Sequence, residues 1–163
     1  MLNIPSSNIF EISRLSNNIT HGWTAGITSA LAFQVDSKIQ LCGIGIFGSS
    51  VDKENLAVDI KVLDGNGCLL EESKTFKSLG SYSPIKLIFT NPVQIEASKK
   101  YHITAKNSGG KFYYGVNLKT NVDFDDVNAD PVKLKVTFSG SRHDTNNYVQ
   151  TGIIPTIYFS KLY

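Results

Sequence analysis

The stretch "VKLKVTF" (132–138) alternates without a break: Val132, Leu134, Val136 and Phe138 against Lys133, Lys135 and Thr137. Successive side chains of an extended backbone leave on opposite faces, so this pattern fits a half-buried antiparallel strand. The period recurs along the chain. "ALAFQV" sets Leu31, Phe33 and Val35 on one face, and "LAVDIKVLD" sets Leu56, Val58, Ile60 and Val62 against Ala57, Asp59, Lys61 and Leu63. "IKLIFT" does the same with Ile85, Leu87 and Phe89, and "KYHITA" with Tyr101, Ile103 and Ala105. No long window carries the apolar stripe of a helix, whose period is about 3.6 residues.

Turn chemistry separates the runs. "DGNG" (64–67) is a hairpin signal, because Asn and Gly tolerate positive φ. "NSGG" (107–110) and "GSRHDTNN" (140–147) read as loops, and Pro92, Pro131 and Pro155 fall where strands start or lie at an edge. The chain is therefore expected to be all-β: an antiparallel β-sandwich of roughly nine to eleven strands, jelly-roll-like. Residues 10–163 make one domain, and residues 1–9 a loose leader.

A chain of 163 residues suffices for a core without metals or cross-links, burying roughly 70% of its unfolded surface. Sixteen basic against fourteen acidic residues leave a net charge of +2, and only Arg14 and Arg142 are arginine. That excludes the strongly basic, arginine-rich profile of nucleic-acid binding. There is no signal-peptide pattern at the start and no apolar run long enough for a membrane span. Cys42 and Cys68 make neither a disulfide framework nor a zinc cluster, and both read as buried free thiols. Together these features place the chain in a reducing, cytoplasmic setting.

"GIGIFG" (43–48) has the spacing of a dinucleotide-binding turn. Such a turn needs a helix after it, and only Ser49 to Asn55 precede the next strand-like run. Gly43 and Gly45 instead lie two apart on one strand face, leaving room for a large side chain or a neighbouring backbone. The acidic stretch "DFDDVNAD" (123–130) gathers Asp123, Asp125, Asp126, Asn128 and Asp130, but Asn128 and Leu134 stand where an EF-hand needs Gly and Glu. It reads as a solvated loop, with a different calcium site as the open alternative. His21, His102 and His143 come with no nucleophile elbow. His102 alternates against Tyr101 and Ile103 and so faces outward. No cofactor, metal or catalytic set is expected.

The residues best suited to recognition sit in loop-like stretches. Trp23 follows Thr20-His21-Gly22, Tyr113 and Tyr114 follow the glycine-rich "NSGG", and "SRHDTNNY" gathers Arg142, His143, Asn146 and Asn147. Aromatic side chains beside Arg and Asn have the composition of protein-binding hot spots. For Trp23 the competing reading is a core residue, since sandwiches often pack around one tryptophan.

In several ordered motifs the chain resembles a PHR domain, the module of the Pam and Highwire ubiquitin ligases and of several BTB-domain adaptor proteins. The match begins at Gly22-Trp23 and Gly26 and runs through "ALAFQVDSKIQLCGIGIFGSS", with Phe33, Val35, Ile39, Leu41, Gly43, Gly45, Phe47 and Gly48 at family spacing. "IKLIFTNPVQIEASKKYHITA" is similar to the family's strand, Pro-Val turn and Tyr-bearing strand. The end shares Phe138, Asn146-Asn147, Gly152 and Ile154-Pro155. Thr24 and Ala25 stand where the family often has Gly and Tyr, and Ile153 where Gln is usual.

The resemblance implies an antiparallel β-sandwich without enzymatic activity. It further implies an interaction module of a larger intracellular protein, recruiting protein partners or substrates in a ubiquitin-ligase context and monomeric as an isolated domain. The expected contact residues are Trp23, Tyr113, Tyr114, Arg142, His143, Asn146 and Asn147. The alternatives are a carbohydrate-binding jelly roll that stacks sugars on Trp23 or Tyr113, and a hydrolase built on His143 and Asp144.

Overall fold

A computed structural model describes residues 9–15, 19–23, 28–49, 52–79, 83–108, 112–116, 118–126, 132–143 and 152–161. In chain order the strands are β1 (Ile9–Ser13), β2 (Ile19–Trp23), β3 (Thr28–Val35), β4 (Ile39–Ile46), β5 (Asp52–Asp64) and β6 (Gly67–Leu79). They continue with β7 (Ile85–Ile95), β8 (Tyr101–Ser108), β9 (Phe112–Gly115), β10 (Asn121–Asp126), β11 (Val132–Ser139) and β12 (Thr156–Lys161). Ten of them form two antiparallel sheets, one ordered β1-β12-β4-β7 and the other β10-β11-β3-β8-β5-β6, while β2 and β9 pair as a separate ribbon. The expected antiparallel sandwich is what the chain forms, and the described residues contain no helix. Ile9, expected in the leader, already belongs to β1; residues 1–8 lie outside the described set.

Alternation decides which face is buried. On β11, Leu134, Val136 and Phe138 are buried while Lys133, Lys135 and Thr137 are exposed; the side chain of Val132 lies outside the description. On β5, Leu56, Val58, Ile60 and Val62 are buried and Asp59 and Lys61 exposed. These side chains pack with Ile12, Leu41, Ile44, Ile157 and Phe159 of the other sheet in one core. Strands β4 and β12 break the rule, because their outward residues are covered as well. Lys86 lies over the Tyr158 ring at 4.9 Å on that outer side.

The two lateral edges close differently. At one, Phe10 of β1 and Phe124 of β10 meet with ring centroids 5.3 Å apart, and each also packs on Phe159, at 5.5 and 5.2 Å. At the other, the Thr90 N–H of β7 donates to both carboxylate oxygens of Glu72 on β6, at 3.0 and 3.2 Å. Register explains the second edge. Leu41 pairs with Val93 and Gly43 with Ile88, so Phe89 to Pro92 stand opposite Cys42 alone. Proline has no N–H to give a ladder, and an edge-strand bulge accommodates it.

The "DGNG" hairpin joins β5 to β6. Asp64 Oδ1 accepts the N–H groups of Asn66 and Gly67, at 2.8 and 3.1 Å, and Gly67 has φ 150°. These amides, with Lys99 Nζ 3.0 Å from the other oxygen, hold the carboxyl below its ordinary range. Two expectations need correction. Cys68 is exposed beside this turn, because the register shift between Val62 and Leu63 carries it off the sheet's inner face; Cys42 alone is buried. Asp123, Asp125 and Asp126 lie in strand β10 rather than a loop, with Asp123 opposite Lys135 and Asp125 opposite Lys133. Cross-strand charge pairing there offsets the low strand propensity of Asp. Residues 127–130 lie outside the described set.

The glycines of "GIGIFG" are packing residues. A Cβ on Gly43 would collide with the Leu87 carbonyl oxygen of the paired strand, and one on Gly45 would sit 2.8 Å from Thr156 Cβ. Gly43→Ala is therefore expected to lower the unfolding free energy by about 1–3 kcal/mol. Gly65→Ala, with nothing within 4 Å of the added carbon, should shift it by less than about 0.5 kcal/mol. Urea unfolding of both variants checks this, and equal midpoints would refute the packing role.

Candidate partner-binding surface

After β11 the chain turns at residues 140–143 and settles on the outer face of the six-stranded sheet. The peg is Ser141, fully buried. Its Oγ accepts the His143 N–H at 3.2 Å and lies 2.8 Å from His102 Nδ1 of β8. His143 packs edge-on against His102, ring centroids 5.0 Å apart. A buried hydroxyl held this way fixes the turn and is not offered to a substrate as a nucleophile. His102 points outward as its alternation requires, but the turn half-covers it. Burial, then the charges of His143, Lys100 and Arg142, hold its pKa below the ordinary value of 6.5.

Arg142 is exposed and His143 half-buried. Beside His143 opens a cleft of about 450 Å³, lined among others by Asp59, Lys61, Glu71, Ser73, Thr104 and Lys106. Here Ser73 Oγ donates to Asp59 Oδ1 at 2.6 Å, and Lys61 Nζ lies 3.9 Å from Glu71. The cleft is polar because it uses the outward positions of β5, β6 and β8.

Tyr113 and Tyr114 sit on the β2–β9 ribbon, both half-buried, with Tyr114 packed against the core. Trp23 pairs with Phe112, His21 with Tyr113 and Thr20 with Tyr114. The ribbon is tied down at two points. The Tyr113 N–H donates to the Gly48 carbonyl at 2.7 Å, and Gly115 and Gly152 exchange both backbone hydrogen bonds, at 2.9 and 3.1 Å. Phe112, at the start of β9 just before the first tie, is fully buried and packs edge-on against Phe76. The expected contact residues thus fall on two supports: Arg142 and His143 on the pegged turn, Tyr113 and Tyr114 on the ribbon. The Trp23 side chain and Asn146, Asn147 and Asp144 lie outside the described residues.

Sequence reading missed Ser141 and the cleft. The cleft residues are ordinary outward positions of β5, β6 and β8, and only the pairing of those strands gathers them. The parity of "LAVDIKVLD" and "KYHITA" marked them as outward but not as neighbours. Among the described residues no three or more His, Cys, Asp or Glu side chains group as a metal site. None of the described residues forms a helix long and apolar enough to cross a membrane.

A two-sheet antiparallel sandwich with a polar cleft on one outer face is the class of domain these observations define. The chain belongs to the PHR domain family, whose model matches residues 13–160. It is 33% identical over 137 residues to BTB/POZ domain-containing protein 6-A of Danio rerio and 30% identical over 136 residues to BTB/POZ domain-containing protein 6 of Xenopus tropicalis. BTB/POZ domain-containing protein 3 of Mus musculus is 28% identical over 136 residues. Each alignment covers 82% of this chain and 24% of the relative, so the chain spans about a quarter of those proteins. A solved structure of infectious bursal disease virus, Gt strain, aligns over 95% of this chain and 38% of that one, at TM-score 0.38 and 10% identity, too low to carry an argument.

The lowered pKa of His102 sets a pH dependence. The unfolded chain binds this proton more tightly than the folded one, so stability is full above the ordinary value near 6.5 and falls as the pH drops below it. His102→Gln is expected to flatten the stability profile between about pH 7 and pH 5. Denaturant titrations across that range check it; identical slopes for both proteins would remove His102 as the cause.

Proposed function

We propose that this chain is a non-catalytic protein-interaction module of a larger cytoplasmic protein, recruiting partners or substrates in a ubiquitin-ligase context and monomeric in isolation. Membership of the PHR family and likeness to BTB/POZ proteins over about a quarter of their length support the interaction role. One observation carries the choice of surface. Exposed Arg142 sits on a turn pinned by the buried Ser141, so a side chain with five donors is presented from a fixed base. Tyr113 and Tyr114 offer aromatic anchors on a second, equally tethered support, and Trp23, Asn146 and Asn147 complete the proposed contact set. The carbohydrate alternative has less behind it, since two of the aspartates it would use for calcium face lysines across β10 and β11.

Affinity capture with the isolated domain, read by quantitative mass spectrometry, tests the surface. The double variant Arg142→Ala/Asn147→Ala should weaken capture of specific partners roughly tenfold, as loss of a hot spot does. Tyr113→Ala should act in the same direction. A partner set unchanged in all variants would remove both patches.

A further inference from the structure

We propose that the 140–143 turn and the cleft beside it bind a carboxylate-rich, acidic segment of a partner protein. This rests on reading the chain as an interaction module and specifies the chemistry of the partner.

The cleft lining itself is balanced, Lys61 and Lys106 against Asp59 and Glu71. The excess is positive and comes from the turn side, where Arg142 and Lys100 lie close enough to act on His102. Both carboxylates are engaged, Asp59 by the Ser73 hydroxyl and Glu71 by Lys61. Four ion pairs join described residues, and of these cations only Lys61 takes part in one. Lys100, Lys106 and Arg142 therefore face solvent with no carboxylate in pairing distance among the described residues. His102 beside the turn feels these same cations: burial first, and then the charges of His143, Lys100 and Arg142, lower its pKa.

Shape agrees with charge. The cleft holds about 450 Å³, lies open on the outer face of the sheet and is walled by Lys106 on β8, Asp59 and Lys61 on β5, and His143 on the turn. A partner side chain entering it would meet Lys106, Lys61 and His143 among the lining residues. Arg142 at the rim offers a fork that matches a second carboxylate in two parallel hydrogen bonds. A nucleic-acid backbone fits less well. Its phosphates are evenly spaced, so some would be held against Asp59 and Glu71, whereas a peptide can set neutral residues there.

The probe is a labelled twelve-residue peptide of alternating Glu and Ser, with a Gln-for-Glu peptide of the same length as its neutral counterpart. Binding is followed by amide and side-chain NMR shifts of the isotope-labelled chain. The expected result is saturable shifts at Lys61, His102, Lys106, Arg142 and His143 with the Glu peptide only, weakening several-fold as ionic strength rises from about 0.05 to about 0.5 M. Lys106→Glu and Arg142→Glu should each weaken binding about fivefold or more. Lys77→Glu, the same charge change elsewhere on the sheet, should not, and retained spectral dispersion shows that each variant folds. The proposal is overturned if the shifts scatter over lysines at large or the Gln peptide gives the same set. It is equally overturned if Lys77→Glu matches Lys106→Glu, or if a dodecathymidylate strand binds the same residues more tightly. Failure here, together with captured partners that still depend on Arg142, removes the acidic chemistry alone. Captured partners indifferent to Arg142 remove the surface itself.

Discussion

Two sheets, each apolar on one side, must hide those sides against each other, and every other feature follows from that burial. Phe33, Ile60 and Val136 of the six-stranded sheet meet Leu41, Ile44 and Phe159 of the four-stranded one with almost no exposed surface. The burial fixes register, since a slip of one residue would turn lysines such as Lys133 and Lys135 into the core. It also traps Arg14. This side chain is 2% exposed, donates to the carbonyls of Lys119 and Ile154 at 3.2 and 3.1 Å, and stacks 4.7 Å from the Phe138 ring. Burial pushes its pKa down to about 10, which still leaves it charged at neutral pH. One guanidinium thereby joins the end of β1, the approach to β10 and the approach to β12, three stretches remote in sequence.

The same logic positions the surface. A sandwich consumes its inner faces in the core, and what remains for recognition is the outer faces, the turns and the rims. Here the turn after β11 is held by a buried serine, and the β2–β9 ribbon by the paired backbones of Gly115 and Gly152. Close approach explains Gly152, where a Cβ would run into the Ser29 hydroxyl. Rigid seating matters because contact side chains on a fixed backbone lose less entropy when a partner arrives.

Much of this was legible from period-two patterning, because one strand's alternation is local information. Strands β5, β7, β8 and β11, the 64–67 hairpin and the packing role of Gly43 and Gly45 follow directly from the residues. What escaped was set by partners distant in the chain. "DFDD" reads as a loop until Lys133 and Lys135 are placed opposite it. Cys68 reads as buried until the register shift near Leu63 lifts it away. Arg142 and His143 were legible as loop chemistry, but their seat on His102 and the neighbouring cleft were not, since these draw on strands dozens of residues apart.

The two thiols differ in a way that gives the domain an internal clock. Cys68 stands in the open beside a turn. Cys42 is 2% exposed at the bulge between β4 and β7, its thiol pushed up by burial. An alkylating reagent meets the first at once and reaches the second only when the sheet around Cys42, where its thiol lies by Gln40 and Ser160, opens. The lag between the two labelling events therefore times that local opening, with no probe added to the chain.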